Sequence, residues 1–420
     1  MILLSSKSFS LRNYQWLFLS LIGNLVIHLF FGLIYHNPVD FVLQFEAAKE
    51  IAQGKLLYRD IGEIEINGDL LPRPQYPPLY LYTLGLLISL IGVDTFTWQM
   101  AKVFLIAMNL AVGVLIYSIV LNYVHPHPRS QLIALVALNW FLINPSTLGI
   151  ILGGYHENFM LLFVLLGIIF LRKSHYFLSG FCFGLSLLVK PIAGVYMLPL
   201  LIWGFYTHDL KSFIVWICAG LTFLAGSLPF LLLSPEAYLN DVFFIHTQRP
   251  DPSMSFYTYF FTEISMTIIP FIIQLALFGL YILVYVSKIP IMNTKQLINA
   301  ILPFMTIFMA FNRILYPHYI PFFFPFFTYT LFILFADHYS PNKTKKGDLT
   351  IVGLLCGLLL VYIGSGVWSI LWAVERYETY LSNPLFLIST VLCMIGLIVI
   401  SIFSIFSSNL LNQEQKETTT

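Results

Sequence analysis

The sequence predicts an all-α fold, a polytopic transmembrane helical bundle of about twelve spans. Three observations carry that expectation. Hydrophobic residues make up 58% of the 420-residue chain and charged residues 10%, whereas soluble domains are nearer half apolar and a quarter charged. Apolar runs near the length needed to cross ~30 Å of hydrocarbon recur from end to end. The basic residues sort to one set of connecting loops.

The first element follows MILLSSKSFSLRNYQW, which carries Lys7 and Arg12 and leads into an apolar run to Tyr35. No small-residue cleavage site closes that run, so it is expected to be a retained first transmembrane helix, 14–36. A polar stretch follows, PVDFVLQFEAAKEIAQGKLLYRDIGEIEINGDLLPRPQYPPLYLY, holding Asp40, Glu46, Glu50, Asp60, Glu63, Glu65 and Asp69. Its start reads as an amphipathic surface helix, with Phe41, Phe45, Ala48 and Ile51 or Ala52 on one face. The run 78–93 is too short for a span and is expected to dip into the interface. Further spans are expected at 100–123, 131–149, 157–171, 176–190, 191–206, 212–232, 262–286, 297–311, 319–336, 350–372 and 385–408.

Charge orients the bundle. With 78–93 not crossing, the loops 1–13, 124–130, 172–175, 207–211, 287–296, 337–349 and 409–420 share one side. They hold 12 of the 21 basic residues and 5 of the 20 acids, which makes that side cytoplasmic. Were 78–93 to cross, Arg172-Lys173 and the Lys343, Lys345 and Lys346 cluster would face outward, against the rule. The expectation is a single integral membrane domain over 1–408, with 37–99 as the first extracytoplasmic loop and 409–420 as a cytoplasmic tail. The polar segments are too short for an appended soluble nucleotide-sugar domain. A net charge of +1 gives no general pull towards nucleic acid. Cys182, Cys218, Cys356 and Cys393 fall inside apolar runs and read as buried small hydrophobes.

The expected extracytoplasmic side gathers the groups that could carry chemistry. Asp40 reads either as an N-cap of the surface helix or as a general base at the membrane edge. Glu46, six residues on, falls nearly opposite Asp40 on an ideal helix, so the two do not form a carboxylate pair. Lys190 ends an apolar run before Pro191; it either snorkels to the headgroups or contacts a phosphate. Arg313 is an anchor or a forked phosphate clamp, and His318 and Tyr319 follow within about a turn. His156-Glu157 opens an apolar helix after Gly153-Gly154-Tyr155, where Glu157 either serves the helix dipole or accepts from sugar hydroxyls. No HExxH, P-loop, CxxC pair or metal-ligand spacing occurs, so no metal and no cofactor is expected.

Four patches resemble the polyprenyl-phosphate-sugar-dependent membrane glycosyltransferases of the C-type fold, most of all glycosylphosphatidylinositol mannosyltransferase I and the bacterial polyprenol-phosphomannose-dependent mannosyltransferases. They are Asp40-Phe41 leading to Gly54-Lys55-Leu56-Leu57-Tyr58-Arg59-Asp60; Tyr76-Pro77-Pro78-Leu79; Gly180 to Pro199 with the Lys190-Pro191 step; and Phe311-Asn312-Arg313 with His318-Tyr319 and Pro325. Relatives carry a doubled aspartate where this chain has Asp40 alone, and often glutamine where it has His318. The resemblance implies inverting transfer of a mannose-like hexose from a polyprenyl-phosphate donor to a glycolipid or glycan acceptor, outside the plasma (inner) membrane. Asp40 would be the base, Arg313 and Lys190 the donor-phosphate contacts, and Glu46, Tyr76, His156, Glu157, His318 and Tyr319 substrate contacts. Helices over 37–75 would roof the cavity, and membrane lipids would deliver the donor. The alternative class is a multi-pass transporter or lipid flippase, which normally places ionisable groups at mid-membrane.

Overall fold

The computed structural model describes residues 11–34, 39–66, 68–125, 127–244, 268–289, 294–310, 317–338, 345–374 and 384–419. The chain forms two compact units. One comprises residues 1–119, 134–194 and 214–249; the other comprises 120–133, 195–213 and 250–420.

Among the described residues the fold is all-α apart from one small hairpin. Helix α1 (Leu11–Ile34) is followed by α2 (Val39–Ala52), β1 (Glu63–Ile66), β2 (Asp69–Pro72) and α3 (Leu79–Ile91). Then come α4 (Trp98–Val124), α5 (Ser130–Leu142), α6 (Pro145–Gly153), α7 (Glu157–Arg172) and α8 (Tyr176–Leu187). Helices α9 (Leu198–Thr207), α10 (Leu210–Leu233) and α11 (Pro235–Leu239) lead to the C-terminal half. Among the described residues five helices are long and apolar enough to cross a membrane, and the bent pair α5–α6 makes a sixth candidate. The other apolar helices are shorter, 10–17 residues, so the expected count of about twelve is not reached by helix length alone. Lipid-facing stripes are plain on the long ones. Exposed apolar residues recur at helical spacing as Trp16, Leu19, Ile22, Val26, Phe30 and Leu33 on α1, and as Ile217, Leu221, Leu224, Leu228 and Leu232 on α10.

The 37–75 segment departs from the expected helices. Helix α2 forms and buries Phe41, Phe45 and Ala48 as its periodicity predicts. Beyond it, residues 63–72 form an antiparallel hairpin with Glu63 opposite Pro72 and Ile66 opposite Asp69. The reason is local. EIEI alternates with period two, Ile64 and Ile66 buried and Glu63 and Glu65 exposed, and an Asn-Gly pair follows, the strongest short hairpin signal. Gly68 takes φ +91°, a region other residues rarely adopt. Helix α3 has 13 residues, about 20 Å of rise and short of the hydrocarbon thickness. Expected span 131–149 breaks into α5 and α6, bent by 46°. Asn144 caps the new helix by accepting from the Ser146 N–H at 2.9 Å, with Pro145 at its first position.

Within the first unit, α8 packs on α10 through small residues. A Cβ on Gly180 would lie 2.5 Å from the Val215 carbonyl oxygen, and one on Gly184 would lie 2.7 Å from that of Ala219. The four-residue spacing puts both glycines on one face, where they let the backbones approach. Helices α1, α4, α5 and α7 are joined by a ladder of neutral polar groups. Ser20 Oγ and Asn24 Nδ2 both donate to Asn139 Oδ1 at 2.8 Å. His28 Nδ1–H donates to the Asn24 carbonyl at 2.7 Å, while its Nε2 accepts from Asn109 Nδ2 at 2.7 Å. Asn158 Nδ2 donates to Asn109 Oδ1 at 2.6 Å. Within the second unit, helices Lys345–Val374 and Pro384–Thr419 approach as closely as α8 and α10 do. A Cβ on Gly364 would meet the Ser389 carbonyl oxygen at 2.4 Å.

Candidate active site

The site is built in the first unit from five separated pieces of sequence. Helix α2 begins at Val39, so Asp40 sits in its first turn, exposed. Its carboxylate is there favoured by the helix dipole. Gln44, one turn on, is the polar residue on the buried face of α2. The return from the hairpin, Leu71 to Tyr76, faces them, and a cavity of about 190 Å³ opens between, lined among others by Asp40, Gln44, Arg73, Gln75 and Tyr76.

Several bonds hold that wall. The Arg73 N–H donates to the Gly62 carbonyl at 2.9 Å. Arg73 Nε donates to Asp241 Oδ2 at 2.6 Å and Nη1 to the Ile61 carbonyl at 3.0 Å. The Tyr58 hydroxyl donates to the Tyr76 carbonyl, and its ring packs edge-on against Phe230 and Tyr238, with centroids 5.1 and 5.0 Å away. Burial foremost, then the nearby Tyr238 and Asp241, push the Tyr58 hydroxyl well above its ordinary range, so it stays a donor.

Behind Tyr76 lies a buried charged cluster. Gly154 ends α6 in the left-handed region at φ +63°, and a Cβ there would lie 2.4 Å from the Phe41 ring. A glycine is therefore needed for α2 to close on the loop that delivers His156. The His156 ring stacks on Tyr80 at 4.5 Å and meets Tyr76 edge-on at 4.9 Å. Its Nδ1–H donates to Gln44 Oε1 at 3.1 Å. Glu157, first residue of α7 and 1% exposed, accepts from the Lys190 ammonium, and Lys190 is 6% exposed. That ammonium lies 5.0 Å from the Tyr76 ring centroid. Lys190 is held there because α8 ends at Leu187 and Pro191 cannot continue it. The Leu79 N–H donates to the Leu188 carbonyl at 3.1 Å, tying the start of α3 to the same place.

The expected residues thus fall into three groups. Asp40, Tyr76, His156, Glu157 and Lys190 come together, with Tyr76 common to the cavity and the ion pair. Glu46 instead pairs with Lys49 at 2.8 Å on the exposed side of α2 and does not line the cavity. Arg313 and the side chain of His318 lie outside the described residues; Tyr319, in the second unit, stacks on Phe322 at 5.1 Å. Lys190 does not snorkel: it is buried against Glu157. Gln44, Arg73 and Asp241 were not expected. Gln44 had one signal, a polar residue among the apolar positions of an amphipathic helix. Arg73 and Asp241 are 168 residues apart and gave none.

Fold and site define a multi-pass helical membrane protein whose charged groups converge at the ends of its helices rather than in their middles. The chain belongs to glycosyltransferase family 87, whose match covers residues 75–286, half of its length. That stretch includes Tyr76, His156, Glu157, Lys190 and Asp241 and begins after Asp40. A 175-residue stretch, 41% of the chain, is 27% identical to GPI mannosyltransferase 1 of Saccharomyces cerevisiae and covers 38% of that protein. The resemblance read from the four sequence patches agrees with both.

Proposed function

We propose that this protein transfers a hexose, mannose-like, from a polyprenyl-phosphate sugar to an acceptor on the extracytoplasmic side of a plasma membrane, with inversion in one displacement. The supporting observation is that Asp40 and Tyr76 line one cavity in the first unit and that the Tyr76 ring also meets His156 and the Lys190 ammonium, which pairs with Glu157. Asp40 is the carboxylate exposed at that cavity, placed to take a proton. The acceptor oxygen attacks the anomeric carbon and its proton passes to Asp40. The bond from the anomeric carbon to the phosphate oxygen breaks, and the phosphate leaves with the electron pair.

A phosphate leaving group needs charge stabilisation rather than protonation, so one carboxylate suffices where a glycosidase uses two. Lys190 and Arg313 are the proposed phosphate contacts. Glu157 keeps the Lys190 ammonium in place when no donor is bound. About twelve crossings, with the shorter helices as tilted or partial spans, complete the proposed topology.

The test is transfer of radiolabelled sugar from a panel of polyprenyl-phosphate hexoses by membranes containing the protein, with products separated by chromatography. Label in a glycolipid or glycan from one donor is the expected result. Substrate flux across proteoliposomes without sugar transfer would replace this reading with transport.

A further inference from the structure

Resting on the reading of Asp40 as the base, we infer that Lys102 is a positioning residue for the transfer step. Its buried ammonium ties the first turn of α2 to the end of α6 and so fixes where Asp40 meets the acceptor. Lys102 stands in the second turn of α4 and is 1% exposed. A lysine near the end of an apolar helix ordinarily carries its ammonium out to water along the stem; this one is turned inward. An ammonium kept from water is costly, and an ionisable group inside a membrane bundle points to a role.

Three contacts define what Lys102 holds. The ammonium donates to the carbonyl of Leu152, the penultimate residue of α6, at 3.2 Å. Carbonyls in the last turn of a helix lack partners within it and carry the negative end of its dipole, so a cation is favoured there. The same ammonium lies 5.6 Å from the centroid of the Phe41 ring and 5.4 Å from that of Trp98, within reach of a cation–π attraction. Trp98 comes one turn earlier on α4.

Phe41 is the link to the chemistry. It follows Asp40 in the first turn of α2 and is 1% exposed. Its ring has little room to shift, since it lies against the backbone of Gly154, where a Cβ would come within 2.4 Å, and it stacks on Phe45 at 6.4 Å. One ammonium thus joins the turn that carries Asp40 to the helix end that leads through Gly154 to His156 and Glu157. The bond between Gln44 and His156 at 3.1 Å is a second tie between the same two segments, one turn further along α2. Loss of Lys102 therefore loosens the start of α2 and leaves the rest of that helix attached. The consequence is a misplaced base rather than a lost binding surface, and a small displacement of a reacting group is expensive in rate.

The test uses membranes containing the full-length protein and the radiolabelled transfer assay, with rates taken per folded molecule. Lys102→Met should lower kcat ~10- to 100-fold at unchanged KM for donor and acceptor. Phe41→Leu, which removes the ring and keeps the lysine, should do the same. In protein already carrying Asp40→Asn, either change should cost no further rate, because each acts through that carboxylate. Native kcat in Lys102→Met or Phe41→Leu, a loss carried by KM alone, or a further loss on top of Asp40→Asn would overturn the inference. Transfer at the native rate by Asp40→Asn would sink the base reading, and the role of the lysine with it. Inactive Asp40→Asn beside native kcat in Lys102→Met would remove the role of the lysine and leave the base reading standing. If Lys102→Met does not accumulate, Phe41→Leu in the native and Asp40→Asn backgrounds decides.

Discussion

Two polar regions of the first unit contrast sharply. The ladder Ser20–Asn139–Asn24–His28–Asn109–Asn158 runs between helices and contains no formal charge. The cluster at the helix ends holds Asp40, Arg73–Asp241 and Glu157–Lys190. Asn158 and Glu157 are adjacent in sequence, so the two regions meet at the first turn of α7. Neutral amides can be satisfied by one another inside an apolar bundle and act as glue between helices. Charges cost far more to bury and persist only when paired or in contact with water and ligand. The ladder should therefore bear on stability without bearing on activity, whereas the cluster bears on both.

The largest effect expected is at Asp40. Asp40→Asn should cut transfer ~10²- to 10⁴-fold with unchanged thermal unfolding in detergent; full activity would refute the base assignment. Next comes the buried ion pair. Lys190→Met alone leaves Glu157 buried and unpaired and should cost ~3–5 kcal/mol, read as a lower unfolding temperature. Lys190→Met with Glu157→Met should restore much of that stability without restoring transfer. Recovery of transfer by the double variant would remove Lys190 from the donor contacts.

On the ladder side, Asn109→Leu breaks bonds to His28 and Asn158 and should cost ~1–2 kcal/mol. Transfer per folded molecule should stay native; a selective loss of transfer would collapse the distinction between the regions. The smallest effect belongs to the exposed turn before the hairpin. Arg59, then the Leu56 N–H, hold the Asp60 carboxyl below its ordinary 3.8. Its contribution is thus present above that value and lost as pH falls through the lower folded one. Protection of the Leu56 amide, its exchange rate relative to the intrinsic rate at the same pH, should fall only under that acid condition in the native protein. In Asp60→Ala that ratio should not respond to pH in this range.

Much of this was legible in the chain. Composition and recurring apolar runs announce a helical membrane protein: helices and closed barrels both satisfy their backbone in a bilayer, and continuous rather than alternating apolar runs select helices. The buried face of α2 follows from the spacing of Phe41, Phe45 and Ala48. The hairpin escaped because its Asn-Gly signal sits inside a stretch read for helical period. Lys190 was legible as an odd lysine but not as a buried one, because its partner Glu157 lies 33 residues away.

The sequence by itself determined the solvent of this protein, the helical period of its elements and the chemical types available at their ends, for these depend on neighbours a few residues apart. Only the tertiary structure decided which of those ends meet. Glycine contacts at Gly154, Gly180 and Gly184 set how closely helices approach, and that distance selects the partners of Lys190, Arg73 and Gln44. Pairing between residues tens to hundreds of positions apart is a property of packing, which local composition does not encode.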